Sequence, residues 1–441
     1  MTFHLFEDPM NTLAVVPYSS PCCNFLFSAQ NIDRIKMSGN GPSVAIVGGG
    51  VSGLVCANRL QQLGISNVTV FDTGKNSVGG RCSSRSVVIK DKTHIFDHSC
   101  QYFTVSDRRF ANIVSFLESK KAVKIWNGRI GHLKRDGKFQ PDSALTQAFI
   151  GTHGMGSVTK CLATTVNVQR PVWIAHVSWE HSSNKWKVDK YGFFDYLVIA
   201  HNGKCADKLM STSRGAPEVH SLLRVRFNDT WNPRDARMHL CSLWILLVAF
   251  ESKLYVNFDA AHVDNQDISW VSNNSSKYNH NSTGSDSSDQ VECWTVISTK
   301  GFGKAHKVPQ ENIPPVKEKL VVEQLLAAFK SVVGVHELPT VCYTRVQLWG
   351  AALPINILDS TSECVFDNNY HIGVCGDWLV SPCIQGAAMS GLALAERICK
   401  HSQRQPSSQT SLQGQYKAST GSVIGCFPVD KSLLFKSQKQ S

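Results

Sequence analysis

No Cys-x-x-Cys occurs in these 441 residues, although fifteen cysteines are present. Without paired ligand spacing, zinc binding is not expected. Cys22 and Cys23 are adjacent, and most of the others, such as Cys56, Cys241 and Cys375, sit inside apolar runs. They read as reduced core residues of a reducing compartment. Long apolar runs are also missing. The most apolar stretch, Leu240 to Phe250, is far short of the roughly 20 residues a membrane-spanning helix needs, so it reads as a buried strand. There is no cluster of five to eight lysines and arginines and no interleaved aromatic stripe, so nucleic-acid binding is not expected. Charge is sparse at 18% of residues, with hydrophobic residues at 42%, a balance that excludes a disordered chain. Acids are fewer than bases, 34 against 45, leaving a net charge of +11. Such a positive potential favours anionic small-molecule ligands.

The length, with roughly 150 residues per domain as a soft prior only, leads us to expect two domains. Residues 1–42 lack a regular apolar period and carry a Ser-Ser-Pro-Cys-Cys cluster at 19–23. They read as an N-terminal extension, either a plastid or other organelle transit peptide or a cytoplasmic leader. Serines and few acids favour the first, whereas Glu7, Asp8 and the scarcity of arginine favour the second. Val44–Val47 is a short apolar strand followed by a glycine turn. Val51, Leu54, Val55, Leu60 and Leu63 then recur at helical spacing up to Gly64, and Val68–Phe71 is a second strand. This order is a βαβ unit and implies a parallel sheet. A helix is predicted over 155–168. Period-two alternation from Val172 to Ala200 predicts a β-meander. Ser272–Asp289 reads as a flexible polar loop, Val316–Val333 as an amphipathic helix, and the tail from Ser402 as disordered.

Gly48, Gly50 and Gly53 form Gly-x-Gly-x-x-Gly between the first strand and its helix. The first glycine permits a tight turn, the second lets backbone approach a pyrophosphate, and the third lets the helix lie close on the sheet. Helix-start amides, with the Ser52 hydroxyl, can hold phosphate oxygens. Asp72 ends the second strand, where a carboxylate can accept ribose hydroxyls. Gly79-Gly80-Arg81 follows, and its arginine can neutralise phosphate through forked hydrogen bonds. Near the other end, His371–Asp377 reads as a strand ending in Gly376-Asp377, and Ile384-Gln385-Gly386-Ala387-Ala388 opens a helix.

The Gly-Gly-Arg run and this C-terminal segment resemble the two cofactor motifs of the amine-oxidase-like flavoproteins. Four further segments narrow the likeness to renalase-type FAD/NAD(P)-binding oxidoreductases: Phe96-Asp97-His98-Ser99-Cys100-Gln101-Tyr102-Phe103-Thr104, Gly154-Met155-Gly156-Ser157, Ser275-Ser276-Lys277, and Gln347-Leu348-Trp349 through Pro354. The resemblance spans roughly 43–400. It departs at Ser99 and Cys100, where the family has glycine and alanine, and in the longer loop at 272–289. It implies an α/β chain: a Rossmann-type FAD-binding domain with a β-meander, drawn from 43–97, 154–215 and 365–400, and a mixed α+β substrate domain drawn from 98–153 and 216–364, before a tail at 401–441. It implies noncovalent FAD, held in part by Val172 against the adenine, by Asp377 at the ribityl or pyrophosphate region, and by amides from Gln385 to Ala387 at the flavin ring. It also implies hydride transfer from a small donor, such as a reduced nicotinamide dinucleotide isomer, with oxygen as acceptor.

Flavin chemistry asks little of side chains beyond position and tuning, so no nucleophile or triad is expected. His98, Gln101 and Tyr102 are the candidates facing the ring, with Trp349 and Trp244 as walls of the substrate cavity. For His98 a structural role competes with a catalytic one, and for Trp244 so does core packing. No motif assigns Lys300 or Lys304 to the ring. Amine oxidation, desaturation of an apolar molecule and a non-catalytic FAD-binding role are the alternatives.

Overall fold

The computed structural model describes residues 41–145, 147–201, 203–278, 291–359, 362–403 and 415–419. The predicted N-terminal extension lies outside them, apart from its last two residues. A six-stranded sheet runs in the order Val365–Asp367, Ile372–Val374, Tyr196–Ile199, Val44–Val47, Val68–Phe71, Asn167–Gln169. All neighbours are parallel except the first pair. The central strands read Val-Ala-Ile-Val, Val-Thr-Val-Phe and Tyr-Leu-Val-Ile and are buried along their whole length. Continuous apolar strands of this kind require cover on both faces of the sheet. The helices Val51–Gln62 and Ile384–Ser402 press together on one face, close enough that a Cβ on Gly391 would fall 2.3 Å from the Ser52 carbonyl oxygen. The three-stranded meander Val177–Glu180, Lys185–Val188, Phe193–Phe194 covers the other face through Trp179, Trp186 and Phe194.

A second, eight-stranded sheet is built on Met238–Phe250, thirteen residues all buried, paired with Glu292–Ser298 on one side and Val341–Pro354 on the other. The helix Pro315–Val333 covers it, with Phe329 stacked on Phe250 at 5.9 Å. The chain is thus a mixed α/β protein with a Rossmann-type sheet. Among the described residues no helix is long and apolar enough to cross a membrane.

Three local expectations need correction. The helix predicted over 155–168 spans only Gly156–Ala163, and Val166 and Val168 instead flank or join the strand Asn167–Gln169 at the sheet edge. Two β-branched residues two apart fit a strand as well as a helix, and pairing with Thr69–Phe71 decides between them. Ser272–Tyr278, predicted as flexible loop, is ordered as the end of a strand and the helix Asn274–Tyr278; residues 279–290 lie outside the described set. Polar composition misled here, because these side chains are buried in hydrogen bonds rather than solvated. In the tail, Gln415–Ala418 pairs antiparallel with Asn356–Asp359, and Tyr416 is buried beside Trp378.

Candidate functional site

The glycine turn after Val47 lies at the carboxyl ends of the parallel strands, where open α/β sheets bind ligands. Gly48 has φ +122°, and a Cβ there would sit 2.7 Å from the Ala200 carbonyl carbon. A Cβ on Gly53 would fall 2.1 Å from the Gly48 oxygen, so this glycine lets the helix lie against the turn. Gly50 differs: a Cβ there meets no protein atom within 4 Å. Space is therefore kept in front of the helix start, where the first amides have no partner within the helix. Asp72 is buried beside them. Its carboxylate accepts from Gly49 N at 2.9 Å and from Gly74 N at 2.8 Å, and its carbonyl accepts from Val172 N at 2.8 Å. One carboxylate thus braces the glycine turn, the loop after its own strand and the segment carrying Val172.

Arg81 reaches across from the Gly79-Gly80 turn to Asp377. Both guanidinium NH groups donate to the carboxylate at 2.7 Å, and one also donates to the Ala352 carbonyl at 3.2 Å. Burial pulls the Arg81 pKa down, but the Asp377 charge outweighs it and leaves it raised. The pair joins residues 296 positions apart inside one cavity of ≈ 510 Å³, a volume typical of small-molecule sites.

Of the cofactor candidates, Gly48, Gly50, Ser52, Asp72, Gly80, Arg81 and Val172 line this cavity, as do Gly376, Asp377 and Ala387. Gly53, Gln385 and Gly386 lie behind its wall. Gln385 accepts from the Ser106 and Asp107 amides at 2.8 and 3.2 Å, and Gly386 packs so that a Cβ would meet the Ser381 oxygen at 2.1 Å. Of the two wall candidates Trp349 lines the cavity, beside Leu243, Ile245, Ile297 and Leu353, whereas none of the three ring-facing candidates does. His98 stacks behind Trp349 at 5.8 Å, and its carbonyl accepts from Trp349 Nε1 at 3.0 Å. Burial, with Arg85 adding to it, lowers His98 to about 4. Tyr102 is fully buried against Trp270, and Trp244 is fully buried with its Nε1 on the His306 carbonyl. Lys304 pairs with Asp229 at 2.8 Å.

Gln101 belongs to a buried polar cluster that the sequence reading missed. Asp97 accepts from Ser84 Oγ at 2.6 Å, Met155 N at 2.9 Å and Lys277 Nζ at 3.3 Å, and from the Tyr278 hydroxyl. Lys277 also donates to the Gln101 carbonyl and Oε1, and Ser272 donates to that same Oε1. Lys277 and Asp97 are both 0% exposed. Burial lowers the Lys277 pKa against the opposing pull of Asp97. The cluster fixes the segment 97–102, whose Ser99 and Cys100 form part of the cavity wall. Burial, with Asp97 adding to it, raises the Cys100 thiol to about 12, so it stays protonated at neutral pH. Asp97, Gln101 and Lys277 all fall in segments that carried the family resemblance, which was the available signal. His201, Lys204 and Lys208 also line the cavity and belong to no quoted motif.

Residues 46–118 match the family model of the NAD(P)-binding Rossmann-like domain. Across the chain, the arrangement is similar to that of a CLA-producing fatty acid isomerase from P. acnes, with 10% identity, a TM-score of 0.53, and coverage of 82% of this chain and 99% of that one. It is likewise similar to cyclohexylamine oxidase from Brevibacterium oxydans IH-35A, with 11% identity, a TM-score of 0.53, and coverage of 82% and 99%. The fold is that of the amine oxidases. A putrescine oxidase redesigned in its cofactor binding shares this amine-oxidase fold with 12% identity, a TM-score of 0.50, and coverage of 81% and 98%. The open space before Gly50, the paired Arg81 and Asp377, and the buried Asp72 fit a dinucleotide in their chemistry.

Proposed function

We propose that this chain is an FAD-dependent oxidoreductase, renalase-like in its site, acting on a small reduced donor, with a reduced nicotinamide dinucleotide isomer as the first candidate and oxygen as acceptor. The observation that carries the reading is the Arg81–Asp377 pair in the same cavity as Gly50 and Asp72. Bound there, the flavin supplies an acceptor for hydride. The chain's own groups do the rest. Helix-start amides and Ser52 hold phosphate oxygens. Arg81 offsets phosphate charge while Asp377 keeps its fork oriented. Leu243, Ile245, Ile297 and Leu353 give the cavity an apolar wall beside Trp349. Trp349 forms a flat wall, and His98 positions it from behind. A histidine with a pKa near 4 is neutral at physiological pH, so it is assigned no proton transfer.

The test is to purify the protein, record its visible spectrum, and mix it anaerobically with reduced dinucleotide isomers and, separately, with amines. Bound flavin and bleaching by a reduced dinucleotide support the reading. Bleaching by amines alone would reassign the donor and leave the flavoprotein intact. A colourless protein that cannot be reconstituted with FAD would sink the cofactor assignment.

A further inference from the structure

We infer that the cavity mouth holds a second anion subsite, built on Lys204 and Lys208, that recognises a phosphate on the electron donor. This rests on the flavoprotein reading and names the donor chemistry of that same site. The strand Tyr196–Ile199 lies directly beside Val44–Val47 in parallel, so its following turn stands one strand over from the glycine turn. Asp72 follows the neighbour on the other side of Val44–Val47. The turn and the nine-residue helix Gly203–Ser211 carry His201, Lys204 and Lys208 into the cavity wall. Positions four apart on a helix share one face, so both ammonium groups reach the same side.

More cations converge from a segment about a hundred residues away. Lys307 lies 3.6 Å over the Phe227 ring. Its pKa is lowered by burial and by the nearness of Lys204, so the two ammonium groups crowd each other. Lys300 and Lys304 both act on Asp229, which Lys304 holds at 2.8 Å. Glu311 faces the cavity from the same rim. The helix's own acid, Asp207, is turned away onto His220 and the Val225 amide. Lys204 and Lys208, with Lys307 near the first, place positive charge at this edge of the cavity beside the single acid Glu311, and positive potential attracts anions and disfavours cationic amines. Lysines act as point charges suited to phosphate, and no arginine fork for a carboxylate joins them.

The probe is inorganic pyrophosphate, titrated into the FAD-loaded protein and read by thermal shift and by perturbation of the flavin spectrum, with glutarate and putrescine in parallel. Saturable pyrophosphate binding is expected, weakened at least tenfold in a Lys204→Met/Lys208→Met double variant with unchanged flavin content, and restored to within about threefold in the Lys204→Arg/Lys208→Arg variant. Both lysines are exposed, so the substitutions leave the core untouched. Equal pyrophosphate binding in the methionine variant overturns the proposal. So does glutarate or putrescine binding as tightly as pyrophosphate. Loss of flavin from the methionine variant alone also overturns it, because the lysines would then serve the cofactor's own phosphates. A wild type without flavin would instead strike the reading beneath, before any lysine is tested.

Discussion

Gly50 and Gly53 stand three residues apart in one motif, yet substitution separates their roles. A side chain at Gly50 meets only open cavity, whereas one at Gly53 meets the Gly48 carbonyl at 2.1 Å. Gly50→Val is therefore expected to keep the melting temperature of the flavin-free wild type and to lose bound flavin, seen as a fall in absorbance near the flavin bands relative to protein. Gly53→Val is expected to lose stability itself, by about 1–3 kcal/mol or more, as over-packing against backbone does. A Gly50→Val protein with full flavin content would remove the glycine turn from the site. At this scale much of the cavity could be read from the sequence, because glycines and acids at fixed offsets from a strand have few other uses. The pairing of Arg81 with Asp377 could not, since nothing local tells an arginine at 81 which carboxylate of a distant segment it will meet. Nor could the burial of Tyr102 and Gln101, whose neighbours in sequence give no hint which way they turn.

Ser272–Tyr278 looks like flexible polar loop by composition, but it docks through Asn274, Lys277 and Tyr278 onto Asp97. Composition reports the average cost of burying polar groups, not the case in which every group finds a partner. Lys277→Met would leave the Asp97 carboxylate in the interior without its cation. Breaking a buried pair in this way costs about 3–5 kcal/mol, measured as a lower urea midpoint. The Asp97→Asn/Lys277→Met pair is expected to recover part of that loss. A single variant as stable as wild type would mean that the cluster is not an ion pair. The Val44–Phe71 unit and the helix Pro315–Val333 were evident beforehand because their apolar periods are long and unbroken. The Asn167–Gln169 strand was not, being only three residues long and held by its neighbour.

Across the whole molecule, three histidines from different regions share one property. His98, His201 and His262 are each lowered to about 4, chiefly by burial. Unfolded, each would protonate near 6.5. Between those values the unfolded chain binds more protons, so stability is full above about pH 6.5, falls as pH drops toward 4, and gains no further slope from these groups below that. Urea midpoints measured from pH 7 to pH 4 are expected to decline across this window, and a His98→Gln/His201→Gln/His262→Gln variant to decline less. An unchanged slope in the variant would assign acid sensitivity to other groups.

The short strand Gln415–Ala418 lies beyond the helix that closes the Rossmann sheet, yet its Tyr416 stacks with Trp378 at 6.4 Å and donates to the Leu222 carbonyl at 2.6 Å. Trp378 is the immediate neighbour of Asp377. This strand consequently holds Trp378, the residue next to the carboxylate that orients Arg81. A protein trimmed by a protease or a stop codon just ahead of Gln415 would keep every residue of both glycine motifs. It is nevertheless expected to melt earlier and, on the flavoprotein reading, to give up FAD more readily during dialysis.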